Sequence, residues 1–338
     1  LLRAGNQSPK LGSGRGGLDI SASNSSRSIV STSSKRFASA SRSARARAGR
    51  TTGTRQALPP IPDDVILERD VAYLSPDRAE KLDLYMPRHR EPGTRSPAVV
   101  MIHGGGWVGG NKGARREIVT GTALAQAGYV AVSVEYMKEP GKRWPTNLFD
   151  CKNAVRWLRT NADRLQVDPE RIGVIGGSAG GHLALMVAYT AGIPELEPDS
   201  PYPGISSAVK ACVNMYGITN LLTRQKTDKD GKPNGQLTTT TALLTQSRTE
   251  NPGLWRLASP VFHVSPNCPP TMTIHGTADT TVDRDQAMEL DARLREHGVP
   301  HELLLIPGGR HAFTLNDERL PEDLRPAVIR FFDRHLRK

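Results

Sequence analysis

The strongest constraint in this sequence is a rhythm of short apolar runs separated by helical patterns. Ala98 to Ile102, Tyr129 to Glu135, Arg171 to Ile175, Ala211 to Tyr216, Thr271 to His275 and Glu302 to Ile306 are runs of the length and continuity expected of strands buried on both faces. Between and after them, Arg115 to Ala127, Asn147 to Leu165, Ala179 to Thr190, Asp283 to His297 and Glu322 to Leu336 carry helical spacing. Two further strands open the pattern at Leu67 to Leu74 and Lys81 to Tyr85, with Ser75-Pro76-Asp77 supplying the turn. This alternation dictates βαβ units: an α/β fold with about eight strands in one mostly parallel sheet and helices on both faces, over residues 59–338.

One stretch breaks the rhythm. Residues 217–253 are polar and threonine-rich, with Thr238 to Thr241 and a Lys-Asp alternation over Lys226 to Lys232. A connection this long inside a domain is expected to be an insertion or a lid-like loop.

Charge has to be located before it is interpreted. The 338 residues carry 45 Lys and Arg against 34 Asp and Glu, a formal +11. Residues 1 to 55 hold eleven of those cations and a single acid, Asp19, among thirteen serines and seven glycines. With so little apolar surface to offset ordering entropy, residues 1–58 are expected to form a disordered Ser/Arg-rich tail. The tail composition fits a linker, appended sequence or an organelle transit segment. No apolar secretory core is recognisable, which leaves cytoplasmic and secreted locations both open. The rest of the chain is nearly neutral and suits an uncharged substrate. Only Phe37 interrupts the basic segment with an aromatic ring, so nucleic-acid binding is not expected. No run of 18 apolar residues exists to span a membrane, and three cysteines without C-x-x-C spacing argue against a disulfide framework or structural zinc. Oligomeric state is not legible.

The chemistry-bearing motifs fall where the predicted strands end. Gly176-Gly177-Ser178-Ala179-Gly180 follows the Arg171 to Ile175 strand and runs directly into a helical pattern. A sharp strand-to-helix turn of this kind projects Ser178 from a strained backbone at a helix N-terminus, where developing negative charge is favoured. His103-Gly104-Gly105-Gly106-Trp107 follows the Ala98 to Ile102 run. Its glycines allow amides to face an oxyanion, and the expected donors are Gly105, Gly106 and Ala179, with Trp107 a further candidate. His103 itself reads as a residue that fixes this loop. A serine nucleophile needs a base and the base an orienting acid. Among nine histidines, His311 alone lies in a loop after the last predicted strand, in Pro307-Gly308-Gly309-Arg310-His311. Asp279, in His275-Gly276-Thr277-Ala278-Asp279, comes one strand earlier. Asp283 and Asp285 are its rivals, discounted because they fall at the start of a helix, where aspartate more often serves as a cap. The catalytic set is therefore Ser178, Asp279 and His311, with Trp107, Trp144 and part of 217–253 expected to face substrate.

Together these motifs resemble the α/β-hydrolase superfamily, in particular the serine esterases that combine H-G-G-G-W with G-x-S-A-G-G. The resemblance spans Val71 to Leu336. Two branches share the motifs. Hormone-sensitive-lipase-like esterases build a helical cap ahead of the core, which the Ser- and Arg-rich residues here do not suit. The acetyl-xylan and feruloyl bifunctional carbohydrate esterases resemble this chain in Leu84-Tyr85-Met86-Pro87 and in Trp107-Val108-Gly109-Gly110-Asn111-Lys112. The resemblance implies hydrolysis of small-acyl or aromatic esters, including acetyl or feruloyl esters of plant carbohydrate, through an acyl-enzyme with neither metal nor organic cofactor. Competing readings are an amidase, formamidase or exopeptidase with the same machinery, and a hydrolase-fold binding protein that has lost catalysis.

Overall fold

The computed structural model describes residues 57–224 and 238–337. The Ser/Arg-rich segment up to residue 56 and the Lys-Asp alternation lie outside the described residues. The elements follow in the order β1 (Val65–Val71), β2 (Leu82–Pro87), β3 (Ser96–Ile102), α1 (Arg115–Gln126), β4 (Val130–Val134), α2 (Thr146–Thr160), α3 (Ala162–Leu165), β5 (Val167–Gly177), α4 (Ala179–Tyr189), β6 (Ala211–Met215), α5 (Thr238–Leu244), α6 (Pro252–Leu257), β7 (Thr271–Gly276), α7 (Asp285–Glu296), β8 (His301–Ile306) and α8 (Arg325–Leu336).

Eight strands form one sheet in the order β1-β2-β4-β3-β5-β6-β7-β8. The pairs β1–β2 and β2–β4 are antiparallel, and every pair from β4 to β8 is parallel. This is the α/β-hydrolase fold. The central strands β3, β4 and β6 are buried throughout, as their unbroken apolar runs require, whereas the edge strands β1 and β8 are only partly covered. One core joins α2, α4 and α7 to one face of the sheet through Leu148, Leu183 and Leu290. The other packs α1 and α8 on the opposite face through Leu124, Phe331 and Phe332. Helix α4 is buried along its whole length, in keeping with a sequence apolar nearly all round.

The chain leaves β3 outward to β4 and then returns to the other side of β3 as β5. That reversal splays the connections after β3 and β5 apart and opens a crevice at the strands' carboxyl ends.

Three boundaries differ from the sequence expectation for physical reasons. The helix expected over Asn147 to Leu165 stops at Asn161, whose Nδ2 and backbone amide both donate to the Trp157 carbonyl at 2.9 Å. Gln166 then takes a left-handed φ of 52°, so β5 begins four residues before Arg171. The opening strand ends at Val71, after a register shift and a left-handed Asp70. The threonine run does not remain a loop: Thr238 opens α5, where burial of Leu243 and Leu244 outweighs the weak helix preference of threonine.

Candidate active site

The turn between β5 and α4 is set by close backbone approach. Ser178 sits at φ 57°, ψ −122°, outside the ordinary regions for an L-residue, and its amide donates to the Met215 carbonyl at 2.9 Å. Such a conformation costs on the order of 1–3 kcal/mol and persists only where neighbours over-determine it. Gly176 and Gly180 are those neighbours. A Cβ on Gly176 would lie 2.1 Å from the Gly180 carbonyl oxygen, and one on Gly180 would lie 2.0 Å from that of Ile102. The serine side chain therefore stands clear of the turn.

His311 and Asp279 arrive from the ends of β8 and β7. His311 Nε2 is 2.9 Å from Ser178 Oγ, and Nδ1 is 2.6 Å from Asp279 Oδ2. With the carboxylate on Nδ1, that nitrogen carries the proton and Nε2 accepts from the serine hydroxyl. Asp279 Oδ1 accepts from the amides of Thr281 at 2.8 Å and Val282 at 3.0 Å. Burial works to raise the Asp279 carboxyl, but hydrogen bonds from His275 and His311 and from the Val282 amide outweigh it and hold the group well below the usual carboxylate range. Tyr216, at the end of β6, packs edge-on against His311 with ring centroids 5.0 Å apart and donates to the Phe313 carbonyl at 2.7 Å. The structure thus brings Ser178, Asp279 and His311 into one hydrogen-bonded line. The rivals Asp283 and Asp285 precede and open α7.

The glycine loop after β3 forms the opposite wall. Gly105 has φ 121°, and a Cβ there would lie 2.2 Å from the Gly109 carbonyl oxygen, so this residue type is required. Among the described residues, neither the Gly105 nor the Gly106 amide donates to a backbone carbonyl. Ala179 is the first residue of α4, where amides have no partner within the helix. His103 braces the loop: its Nδ1 lies 2.7 Å from the Gly104 carbonyl and its Nε2 3.1 Å from Glu135 Oε1. Burial pushes the Glu135 carboxyl up, but His103 and Lys138 prevail and bring it down to about 2.

Both tryptophans expected to face substrate are placed elsewhere. Trp107 is fully buried, with a φ of 62° that turns its indole into the core, where Nε1 donates to His182 Nδ1 at 3.2 Å. Trp144 is half-buried against the same core, its ring 6.1 Å from His182. Neither lines the cavity above Ser178. The physical reason is the same for both: a large apolar ring gains more from packing beneath the loop than from standing in an open cleft.

That cavity holds about 480 Å³, within the range that encloses a small organic molecule. Its walls include Gly104–Gly106, Ser178, Tyr216, Ile218 and His311, and also Arg116, Glu117 and Arg224. The last three have no motif in the sequence. Arg116, in the first turn of α1, donates to Glu117, to the Ile102 carbonyl at 3.1 Å and to the Tyr216 hydroxyl at 3.4 Å. Tyr216 was the one legible addition, since an aromatic immediately after a parallel strand stands at the end where such folds bind ligands. Among the described residues no cluster of His, Cys, Asp and Glu could hold a metal ion, and no helix is long and apolar enough to cross a membrane.

The fold is that of the α/β-hydrolases. The chain belongs to the BD-FAE family, whose model matches residues 82–294. It is 30% identical over 249 residues to esterase LipQ and 32% identical over 244 residues to esterase LipC, both of Mycobacterium tuberculosis, covering 73% and 71% of this chain. The matches span 57% and 59% of those two proteins, so the chain corresponds to less than two thirds of their length. Among solved structures it is similar to an acetyl ester-xyloside bifunctional hydrolase from Caldicellulosiruptor lactoaceticus. That match has a TM-score of 0.63 and 28% identity, and covers 75% of this chain and 88% of that one.

Proposed function

We propose that this protein is a serine carboxylesterase acting through an acyl-enzyme. The observation that carries the reading is the continuous line from Asp279 through His311 to Ser178, ending on a strained turn beside a glycine loop. In this mechanism His311 takes the proton of Ser178 as Oγ attacks the ester carbonyl. Asp279 holds the Nδ1–H tautomer and stabilises the imidazolium that forms. The tetrahedral oxyanion is received by the amides of Gly105, Gly106 and Ala179, which cost no reorganisation when the charge appears. His311 then protonates the leaving alcohol, and water attacks the acyl-serine with His311 again as base.

The substrates to test first are small-acyl and aromatic esters, including acetyl and feruloyl esters of plant carbohydrate. Similarity to an acetyl ester-xyloside hydrolase supports that choice, and a cavity of about 480 Å³ accommodates a short acyl group or a single ring. Ser178→Ala is expected to fold normally and to lose about 10⁴-fold or more of p-nitrophenyl acetate hydrolysis. It should also escape covalent labelling by a fluorophosphonate that marks the wild-type protein. Turnover near the wild-type rate in this variant would refute the reading.

A further inference from the structure

Arg224 is a buried cation in the wall of the reaction cavity. It is 4% exposed yet lines the cavity above Ser178. Its Nη1 donates to Thr240 Oγ1 at 2.5 Å, and its guanidinium carbon lies 5.6 Å from the centroid of the Trp107 ring. Its Nε is buried without an acceptor. Burial pulls the guanidinium down to about 10, against the charges of Asp283 and Asp279, which favour the protonated form. Removing a guanidinium from water is expensive, and a buried one is normally satisfied by an anion. Among the described residues, other charged groups at the cavity are already partnered. Arg116 is held by Glu117, and Asp279 is hydrogen-bonded to His311. Among the described residues the lining thus carries two guanidiniums, Arg116 and Arg224, against the single carboxylate of Glu117.

We propose that Arg224 receives a carboxylate of the substrate, making this an esterase that favours esters of carboxylate-bearing molecules. The proposal rests on the esterase reading above and deepens it. Two sources would supply the same chemistry: an acylated alcohol that carries an acid, such as an acetylated acidic sugar, or the half-ester of a dicarboxylic acid.

Two matched substrate pairs separate the sources. The first is 4-carboxyphenyl acetate against 4-carbamoylphenyl acetate, and the second is monoethyl succinate against ethyl succinamate, each rate divided by its hydroxide-catalysed rate. The readout is the kcat/KM ratio of acid to amide within a pair. One of the two pairs should favour the acid by about tenfold or more in the wild-type protein, the range of a charged hydrogen bond. Arg224→Gln should bring that ratio close to one, and Arg224→Lys should restore part of it. Ratios at or below one in both pairs, or a ratio unmoved by Arg224→Gln, would overturn the proposal. Fluorophosphonate labelling reports whether each variant retains a folded site. If Arg224→Gln does not label, inhibition of the wild-type protein decides: benzoate should act at about tenfold lower concentration than benzamide, and equal potency overturns the idea. Turnover of neither member of either pair by the wild type would remove the esterase reading and this proposal with it.

Discussion

Two segments leave the sheet on either side of β5 and wall the same cavity, yet they are held to different degrees by backbone and by distant side chains. The glycine loop after β3 is shaped first by its own backbone, with the Tyr136 hydroxyl and the Lys138 ammonium bonding the His103 and Gly110 carbonyls at its ends. Gly105 is wedged against Gly109, and His103 bonds the carbonyl next to it. The segment after β6 is fixed by distant side chains. The amides of Thr219 and Asn220 both donate to Gln286 Oε1 at 2.9 Å, Leu221 donates to Ser259 Oγ at 2.9 Å, and Arg224 reaches Thr240. In the proposed mechanism the first segment would supply backbone donors, the same for any ester. The second brings the side chains of Tyr216, Ile218 and Arg224 to the cavity wall, where on the proposed function they would discriminate between esters. His182 ties the glycine loop to the chain beside the second segment's Ser259 anchor, acting as a strap: its Nδ1 accepts from Trp107, and its Nε2 donates to the Ala258 carbonyl at 2.7 Å.

The contrast breaks most sharply at Gly105. Gly105→Ala forces a Cβ against Gly109 and rotates the neighbouring amides, so kcat should fall by about 10²–10³, as when an oxyanion donor is lost, with KM little changed. A fall in KM-dependent binding alone, with kcat intact, would show that the loop shapes the pocket rather than the chemistry.

Acid acts on the strap. Burial is the main reason that His182 is pulled down to about 4, with the nearby Arg224 charge adding to it and the Ala258 carbonyl opposing it. The folded value lies below the unfolded value of about 6.5, so the unfolded chain binds the proton more readily. The associated stability is full above pH 6.5 and is lost as pH falls from there through about 4, about 3 kcal/mol in all. Urea midpoints measured between pH 7.5 and 4.5 should follow that slope. His182→Gln should be less stable at neutral pH and flatter across the window, and a variant with the wild-type slope would assign the acid sensitivity to other groups.

The mildest perturbation is at the anchor of the second segment. Gln286→Ala leaves two buried amides without their acceptor, a loss of about 2 kcal/mol or somewhat more in stability. If this segment governs selectivity, KM for bulky aryl esters should change several-fold while kcat for p-nitrophenyl acetate stays within about threefold. A matching collapse in kcat would mean that the two segments are not separable.

The same division explains what could be read in advance. Strand-ending motifs were visible because glycine, serine and histidine were needed at fixed places by steric limits that act within a few residues. Asp279 is preferred over Asp283 and Asp285 because the sequence predicts a helix from Asp283, where aspartates serve as caps; in the structure that helix begins at Asp285. Trp107 and Trp144 were misplaced because an aromatic beside a motif looks the same in sequence whether its ring turns into the cleft or into the core. Arg116, Glu117 and Arg224 carried no signal at all: charged residues near a helix start or in a polar segment are usually solvated, and only packing shows these to be enclosed.

The sequence by itself determined the sheet, the helices on both faces and the turn that carries Ser178, because apolar periodicity and backbone sterics are local properties that survive without knowledge of neighbours. Tertiary structure alone decided strand order, the direction of the tryptophan rings and which charges line the cavity. Those outcomes depend on contacts between residues far apart in the chain, such as Arg116 with Tyr216 and His182 with Ala258, and no window of sequence contains both partners.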